Sequence, residues 1–248
     1  MTKIDDYRSQ VLRLIAEQPA RPEAGTGVLS ALQRLCGAIA QALSASGAGL
    51  SVMAENGVRG VTAAADPASA HTEELQFTLG EGPGVDAFAT SRPVLMPDLA
   101  DGAVSRWPIY VPAMEGLGIR AMFAFPLQIG AARIGVLNVY RTEAGSLRPE
   151  ELALALTFAE VAVTTLLDGQ AGAVGGMVPD GLVGAIDGRA EIFQAQGMVM
   201  VQLGVDLAEA MARIRAYAYV ENRQLSEVAR DILSRRLRLD PDHQRPGP

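Results

Sequence analysis

Apolar residues at Ile4, Tyr7, Val11, Leu14 and Ile15 recur at helical spacing, and Pro19 and Pro22 end that run. A second helical pattern runs from Val28 to about Leu43 through Leu29, Leu32, Leu35 and Ile39. The rhythm then changes. Gly47 and Gly49 introduce a strand over Leu50-Ser51-Val52-Met53, Asn56-Gly57 is a hairpin-turn signal, and Val58 to Ala64 returns as its partner. Alternation in Leu75-Gln76-Phe77-Thr78-Leu79 predicts a third strand, and a short helix follows around Val85 to Thr90. After a strand at Val94-Leu95-Met96 comes an irregular stretch holding Asp98, Arg106, Trp107 and Pro108. The clearest hairpin pairs Ala121–Ile129 with Ile134–Tyr140 across a turn at Gly130, and Glu150 to Leu167 forms a long helix entered by Pro149.

A different kind of segment closes the chain. Seven glycines in residues 169–188 read as a flexible linker. Beyond it the pattern predicts three amphipathic helices. The first begins near Asp187-Gly188, carries Ile192, Ala195, Val199, Met200 and Leu203, and stops at Gly204. Asp206 and Glu209 have capping-box spacing for the second, whose stripe is Leu207, Ala210, Met211, Ile214, Tyr217 and Ala218. The third carries Leu225, Val228, Ala229, Ile232 and Leu233. Three helices in so few residues bury little apolar surface, so this module is expected to lean on a neighbour or a second copy.

Charge sharpens this division. Of the net −7, residues 1–186 carry 12 basic and 19 acidic side chains, whereas residues 187–248 carry 9 of each. The tail is therefore neutral beside an acidic body, which favours a polyanion partner only if its arginines share a face. All nine tail cations are arginines and Lys3 is the one lysine of the chain, a bias that GC-rich coding also explains. The single cysteine, Cys36, lies in an apolar helical pattern; it excludes an internal disulfide and argues against a cysteine-based zinc site. The start lacks the apolar region of a signal peptide, and Leu152 to Leu167 is too short to span a bilayer, so the expectation is a cytoplasmic protein without a membrane segment.

The body's helices flank an antiparallel sheet of five or six strands, an α+β arrangement. The succession Gly80-Glu81-Gly82-Pro83, Arg92-Pro93-Val94, Pro97-Asp98-Leu99 and Phe125-Pro126-Leu127 resembles the GAF family of small-molecule sensor domains over about residues 28–168. That resemblance implies a ligand held between the sheet and its covering loops, or a role in dimerisation. Phe88, Met96, Trp107, Phe123 and Phe125 are the candidate pocket lining, although core packing also accounts for them. The apolar edge of the Glu150–Leu167 helix is a candidate homodimer seam, shared with the N-terminal helix.

In the tail, Arg189, Ile192, Ala195, Gly197 and Met200, followed by Ala210, Ile214-Arg215, Ala218, Asn222, Leu225 and Val228-Ala229, are similar to the ANTAR family. ANTAR domains are bacterial RNA-binding modules that prevent transcription termination. The resemblance implies paired RNA stem-loops as the partner, and Arg189, Gln196, Arg213, Arg215, Tyr219, Asn222, Arg223 and Arg230 as candidate contacts. Gln196 departs from the pattern, since the family often has lysine before that glycine; one charge-assisted phosphate contact is then missing. Solvated surface arginines, and Asn222 as a cap, are the plain alternatives.

The expected organisation is an N-terminal helix over 1–27, a GAF-like sensor over 28–168, and a linker over 169–186. An ANTAR-like domain over 187–239 and a disordered tail over 240–248 follow. No catalytic set, metal site or cofactor is expected. Glu81 and Asp98 read equally as turn and cap residues, Pro83 removes an amide donor from the glycine run, and one cysteine suits neither a reductase nor a bilin site. His71 reads as a loop residue rather than a haem ligand. A DNA-binding regulator, and a redox or ligand sensor acting through a protein partner, are the competing functions.

Overall fold

The computed structural model describes residues 3–19, 27–53, 59–171, 180–221 and 223–239, with side chains over 6–19, 27–53, 63–169, 191–221 and 223–239. The Asn56-Gly57 turn and the tail from 240 lie outside the described residues. Two compact units emerge, residues 1–77 with 81–183, and residues 184–248 with Thr78–Gly80.

In the first unit, α1 (Lys3–Glu17) and α2 (Val28–Ala42) precede a hairpin of β1 (Gly47–Met53) and β2 (Arg59–Ala64). Then come α3 (Pro67–Leu79), α4 (Pro83–Thr90), β3 (Val94–Met96), α5 (Tyr110–Gly116), β4 (Ala121–Ile129), β5 (Ala132–Arg141) and α6 (Pro149–Ala171). The sheet is antiparallel, in the order β2-β1-β5-β4-β3.

Period-two alternation sorts the strands' side chains onto two faces. One face holds Leu50, Phe123, Phe125, Leu137 and Val139, and it packs with Leu35 and Ile39 of α2, Phe158 of α6 and Val11 of α1. α6 is long and apolar enough, by length and composition, to cross a membrane between Pro149 and Gly169. That exceeds the expected span, which stopped at Leu167. The seating of Ala155, Phe158, Ala159 and Ala162 in this core explains its apolar character instead.

The strand expected at Leu75–Leu79 is the end of helix α3. Five residues alternating by chance mimic a strand; the longer pattern is helical. Ser69, Thr72, Glu73, Gln76 and Phe77 are its buried positions, spaced by three and four. Asp66 caps its start, accepting from the Ser69 amide and hydroxyl at 2.9 Å each, and Pro67 occupies the first turn. His71 is therefore an exposed helical residue and not a loop residue. Helix α5 lies within the stretch between Met96 and Ala121 expected to be irregular.

The second unit contains α7 (Asp180–Leu203), α8 (Leu207–Val220) and α9 (Leu225–Leu233). Its core is Ile192, Ala195 and Val199 from α7, Ala210, Met211, Ile214 and Ala218 from α8, and Leu225, Val228, Ala229 and Ile232 from α9. Asp206 caps α8 through the Glu209 amide at 2.8 Å, and Gly204 leaves α7 at a φ of 65°. Leu207, expected in the stripe, is 53% exposed because it sits in the first turn of α8, beyond the packed part. The expected linker 169–186 is helical at both ends, through Ala171 and again from Asp180; residues 172–179 lie outside the described residues. Glycine lowers helix propensity without forbidding a helix, and α7 includes Gly181, Gly184 and Gly188.

Candidate nucleic-acid interface and buried polar site

Among the described residues, most of the tail's arginines face neighbouring carboxylates. Arg213 meets Glu209 at 2.8 Å one turn away, and Arg230 meets Glu191 of α7 at 3.5 Å. Arg223 lies 2.6 Å from Asp231 and 3.9 Å from Glu227, and Arg236 reaches Asp231 at 3.1 Å. The hydrogen bond from Arg223, followed by the charges of Arg223 and Arg236, holds the Asp231 carboxyl below the usual carboxylate range. The same bond raises the Arg223 guanidinium. Arg213, Arg223, Arg230 and Arg236 are thus laid out in local ion pairs.

Gln196, expected among the RNA contacts, does not lie on the surface. It is buried, and its Nε2 donates to the Leu207 carbonyl at 2.6 Å, tying α7 to the start of α8. A buried neutral amide satisfies that carbonyl without the desolvation cost of a charge. Arg215 is half-buried, and that burial lowers its pKa from the ordinary value. Tyr219 is 57% exposed, with Val220 beside it at 77%. The Arg189 side chain and Asn222 lie outside the described residues. Two arginines absent from the expected set, Arg235 and Arg238, are exposed and form no ion pair with a described residue. Their signal was available: Arg235, Arg236 and Arg238 cluster in four positions directly after α9.

On the body, the sheet face opposite the α1–α2–α6 core is polar at its centre. Ser51, Asn138 and Tyr140 converge on Glu73 of α3, which is 2% exposed. Ser51 Oγ donates to Glu73 Oε2 at 2.5 Å, Asn138 Nδ2 donates to Oε1 at 2.8 Å, and the Tyr140 hydroxyl donates to Oε1. One turn on, Gln76 Oε1 accepts from the Gly84 amide at 2.8 Å. Gly49 of β1 permits this close approach, since a Cβ there would lie 2.5 Å from Glu73. The Tyr110 hydroxyl, bonded to Met122 at 3.0 Å, has its pKa pushed well up by burial and then by the charge of Glu73.

The five expected pocket residues do not share a site. Strand register turns Phe123 and Phe125 into the α2–α6 core, on the opposite face from Met96, which pairs with Met122. Phe88 is buried on α4 beneath the Arg133 guanidinium, 5.3 Å from its ring. Trp107 is a buried residue rather than an open lid: its Nε1 donates to Asp86 at 3.2 Å and Arg106 lies 4.7 Å over its ring. Glu81 and Asp98 are not a reacting pair. Glu81 accepts from the Ile109 and Tyr110 amides at 2.7 Å each, at the start of α5. Asp98 accepts from the Ala100 amide and from Arg120, which hold its pKa down in that order. Cys36 is fully buried, its Sγ 3.8 Å from the Ala63 carbonyl.

With that geometry in view, the GAF domain family model matches residues 26–166, more than half of the chain. The chain belongs to the GAF domain family. Residues 180–233 match the ANTAR domain model, so the second unit is an ANTAR domain. Among solved structures, the GAF domain of a phosphoenolpyruvate-protein phosphotransferase from Coxiella burnetii is 18% identical. It covers 68% of this chain and 95% of its own, with a TM-score of 0.51. The GAF domain of the Acinetobacter phosphoenolpyruvate-protein phosphotransferase is 13% identical over 71% of this chain and 99% of its own, at a TM-score of 0.49. No match was found among curated proteins.

Proposed function

We propose that this chain is a signal-responsive, RNA-binding regulator of transcription antitermination. The observation that carries the reading is the order of domains: a GAF domain over 26–166 and an ANTAR domain over 180–233 on one chain. The GAF domain senses a small molecule or mediates dimerisation, and the ANTAR domain binds paired RNA stem-loops. The protein acts in the cytoplasm, as a homodimer and without catalysis. Supporting the last point, the body's Glu81 and Asp98 are occupied by backbone amides and Arg120.

Sensing requires that ligand and output bias the same equilibrium, so a signal must bind the RNA-competent state better than the other. The Glu73 cluster supports the GAF face as the sensing side, because it concentrates polar groups in a buried place where the rest of the core is apolar.

The test is binding of the full chain to a synthetic RNA carrying two adjacent stem-loops, against duplex DNA of equal length, across a salt series. Preference for the RNA, weakening with salt as counterions are released, is the expected result. Preference for the duplex would replace this reading with a DNA-binding regulator.

A further inference from the structure

Arg213, Arg223 and Arg230, three of the candidate RNA contacts, each face the unit's own carboxylates, yet the unit holds a groove of about 730 Å³ that none of those carboxylates lines. It runs between α7 and the residues following α9. Gly197, Met198 and Val201 form its floor, and Gln194, Arg235 and Arg238 its rim. We propose that this groove is where the RNA is gripped, taking an unstacked loop base against the apolar floor and the adjoining phosphates on Arg235 and Arg238. The proposal deepens the RNA-binding reading and rests on it.

Two residues here run against local preference. Gly197 lies inside a helix, where glycine is the poorest choice after proline, and packing does not demand it: a Cβ there would meet nothing within 4 Å. What the missing side chain does is leave the floor open. Arg235 adopts a φ of 58°, two residues beyond the last residue of α9, at a position where glycine is unstrained. An arginine held there against backbone preference sets a cation at the groove's rim. Val201 adds a third anomaly, an apolar side chain left 76% exposed on the same helix.

The wall is fixed rather than frayed. Gln202 Nε2 donates to the Leu239 carbonyl, Leu239 is buried, and the amides of Arg236 and Leu237 donate to the Asp231 carbonyl at 2.8 and 3.0 Å. The chemistry fits RNA: an apolar floor for a base, a Gln194 amide for a base edge, and two cations for phosphates. A second copy of the ANTAR unit fits less well. Its Glu191, Glu209, Glu227 and Asp231 already face arginines, so they offer Arg235 and Arg238 little complementary charge.

The experiment measures affinity for the two-stem-loop RNA, subunit number and melting temperature for the full chain. The variants are Gly197→Leu, Arg235→Gly, and Arg235→Gly combined with Arg238→Ala. Gly197→Leu and Arg235→Gly should keep or raise the melting temperature, since each relieves a local cost, while weakening RNA binding at least tenfold. The double variant should flatten the salt dependence by about 1.4 in log–log slope, about 0.7 for each single-stranded phosphate no longer neutralised. Folded variants with unchanged RNA affinity would overturn the groove while leaving RNA binding intact. A wild-type chain that binds no RNA would overturn both. Altered subunit number with unchanged RNA affinity would make the groove a protein contact, and the proposal would fall.

Discussion

Among single residues, Glu73 carries the most consequence. Three side-chain donors from two strands end on its carboxylate, and it is 2% exposed. Removing the acceptor strands Ser51, Asn138 and Tyr140 in a place water reaches poorly, and each orphaned buried group costs about 1–3 kcal/mol. Glu73→Ala is therefore expected to destabilise the body by about 3 kcal/mol or more, and Glu73→Gln, which keeps one acceptor oxygen, by about half of that. Urea unfolding followed by the fluorescence of buried Trp107, the chain's one tryptophan, reads both. Equal stability of all three proteins would refute the network's role. Asp231 offers a test by pH. Its carboxyl is held below the ordinary value of about 3.9 by Arg223, so its contribution is full above that value and fades as pH falls through the lowered one. The melting difference between wild type and Asp231→Asn should be largest near neutrality and vanish once the pH is below that lowered value. A difference that stays constant with pH would assign it to packing. Neither residue stood out in the sequence, for a shared reason: Glu73 and Asp231 acquire their roles from partners that the fold brings up, and local pattern says nothing of those.

At the scale of elements, legibility tracked how much of each signal was local. The hairpin of β4 and β5, helix α6 and the cap of α8 are written in alternation, proline placement and Asp206, and all three appear where those signals put them. Helix α3 is hard to read from sequence because its buried side is polar: Ser69, Thr72, Glu73 and Gln76 give no apolar stripe, five alternating residues at its end mimic a strand, and its start at Asp66-Pro67 is a signal the strand reading leaves out. The pocket residues failed differently. Phe123 and Phe125 are two apart on β4, so they necessarily share a face, but which face needs the register. One close approach in that sheet is testable. A Cβ at Gly135 of β5 would collide with the Ser51 carbonyl oxygen of β1, and backbone cannot yield as a flexible side chain does. Gly135→Ala should destabilise the body by about 1–3 kcal/mol, towards the upper end, in the same urea assay. No loss would mean that the two strands separate there at little cost.

For the whole molecule, the proposed homodimer would hold two ANTAR units together, and an exposed stripe on the body offers a test of it. The apolar edge of α6 expected as a seam is partly consumed by its own core, which takes Ala155 and Ala159. Leu156 and Leu167 remain 41% exposed each; eleven residues apart, they lie three turns along one stripe of the helix. If that stripe is where copies meet, Leu156→Glu with Leu167→Glu should convert a dimer to a monomer at micromolar concentration by light scattering. The circular dichroism should not change, because neither side chain is buried. The consequence for RNA separates pairing from mere association. A dimer binds a two-loop RNA through two sites, the second at high effective concentration, so the monomeric variant should lose about 100-fold or more in affinity for two loops. Its affinity for one isolated stem-loop should match wild type, because each ANTAR unit is untouched. A wild-type monomer, or a monomeric variant that keeps its two-loop affinity, would mean that each chain reads RNA alone, and that the sensor acts on its own ANTAR unit rather than through a partner.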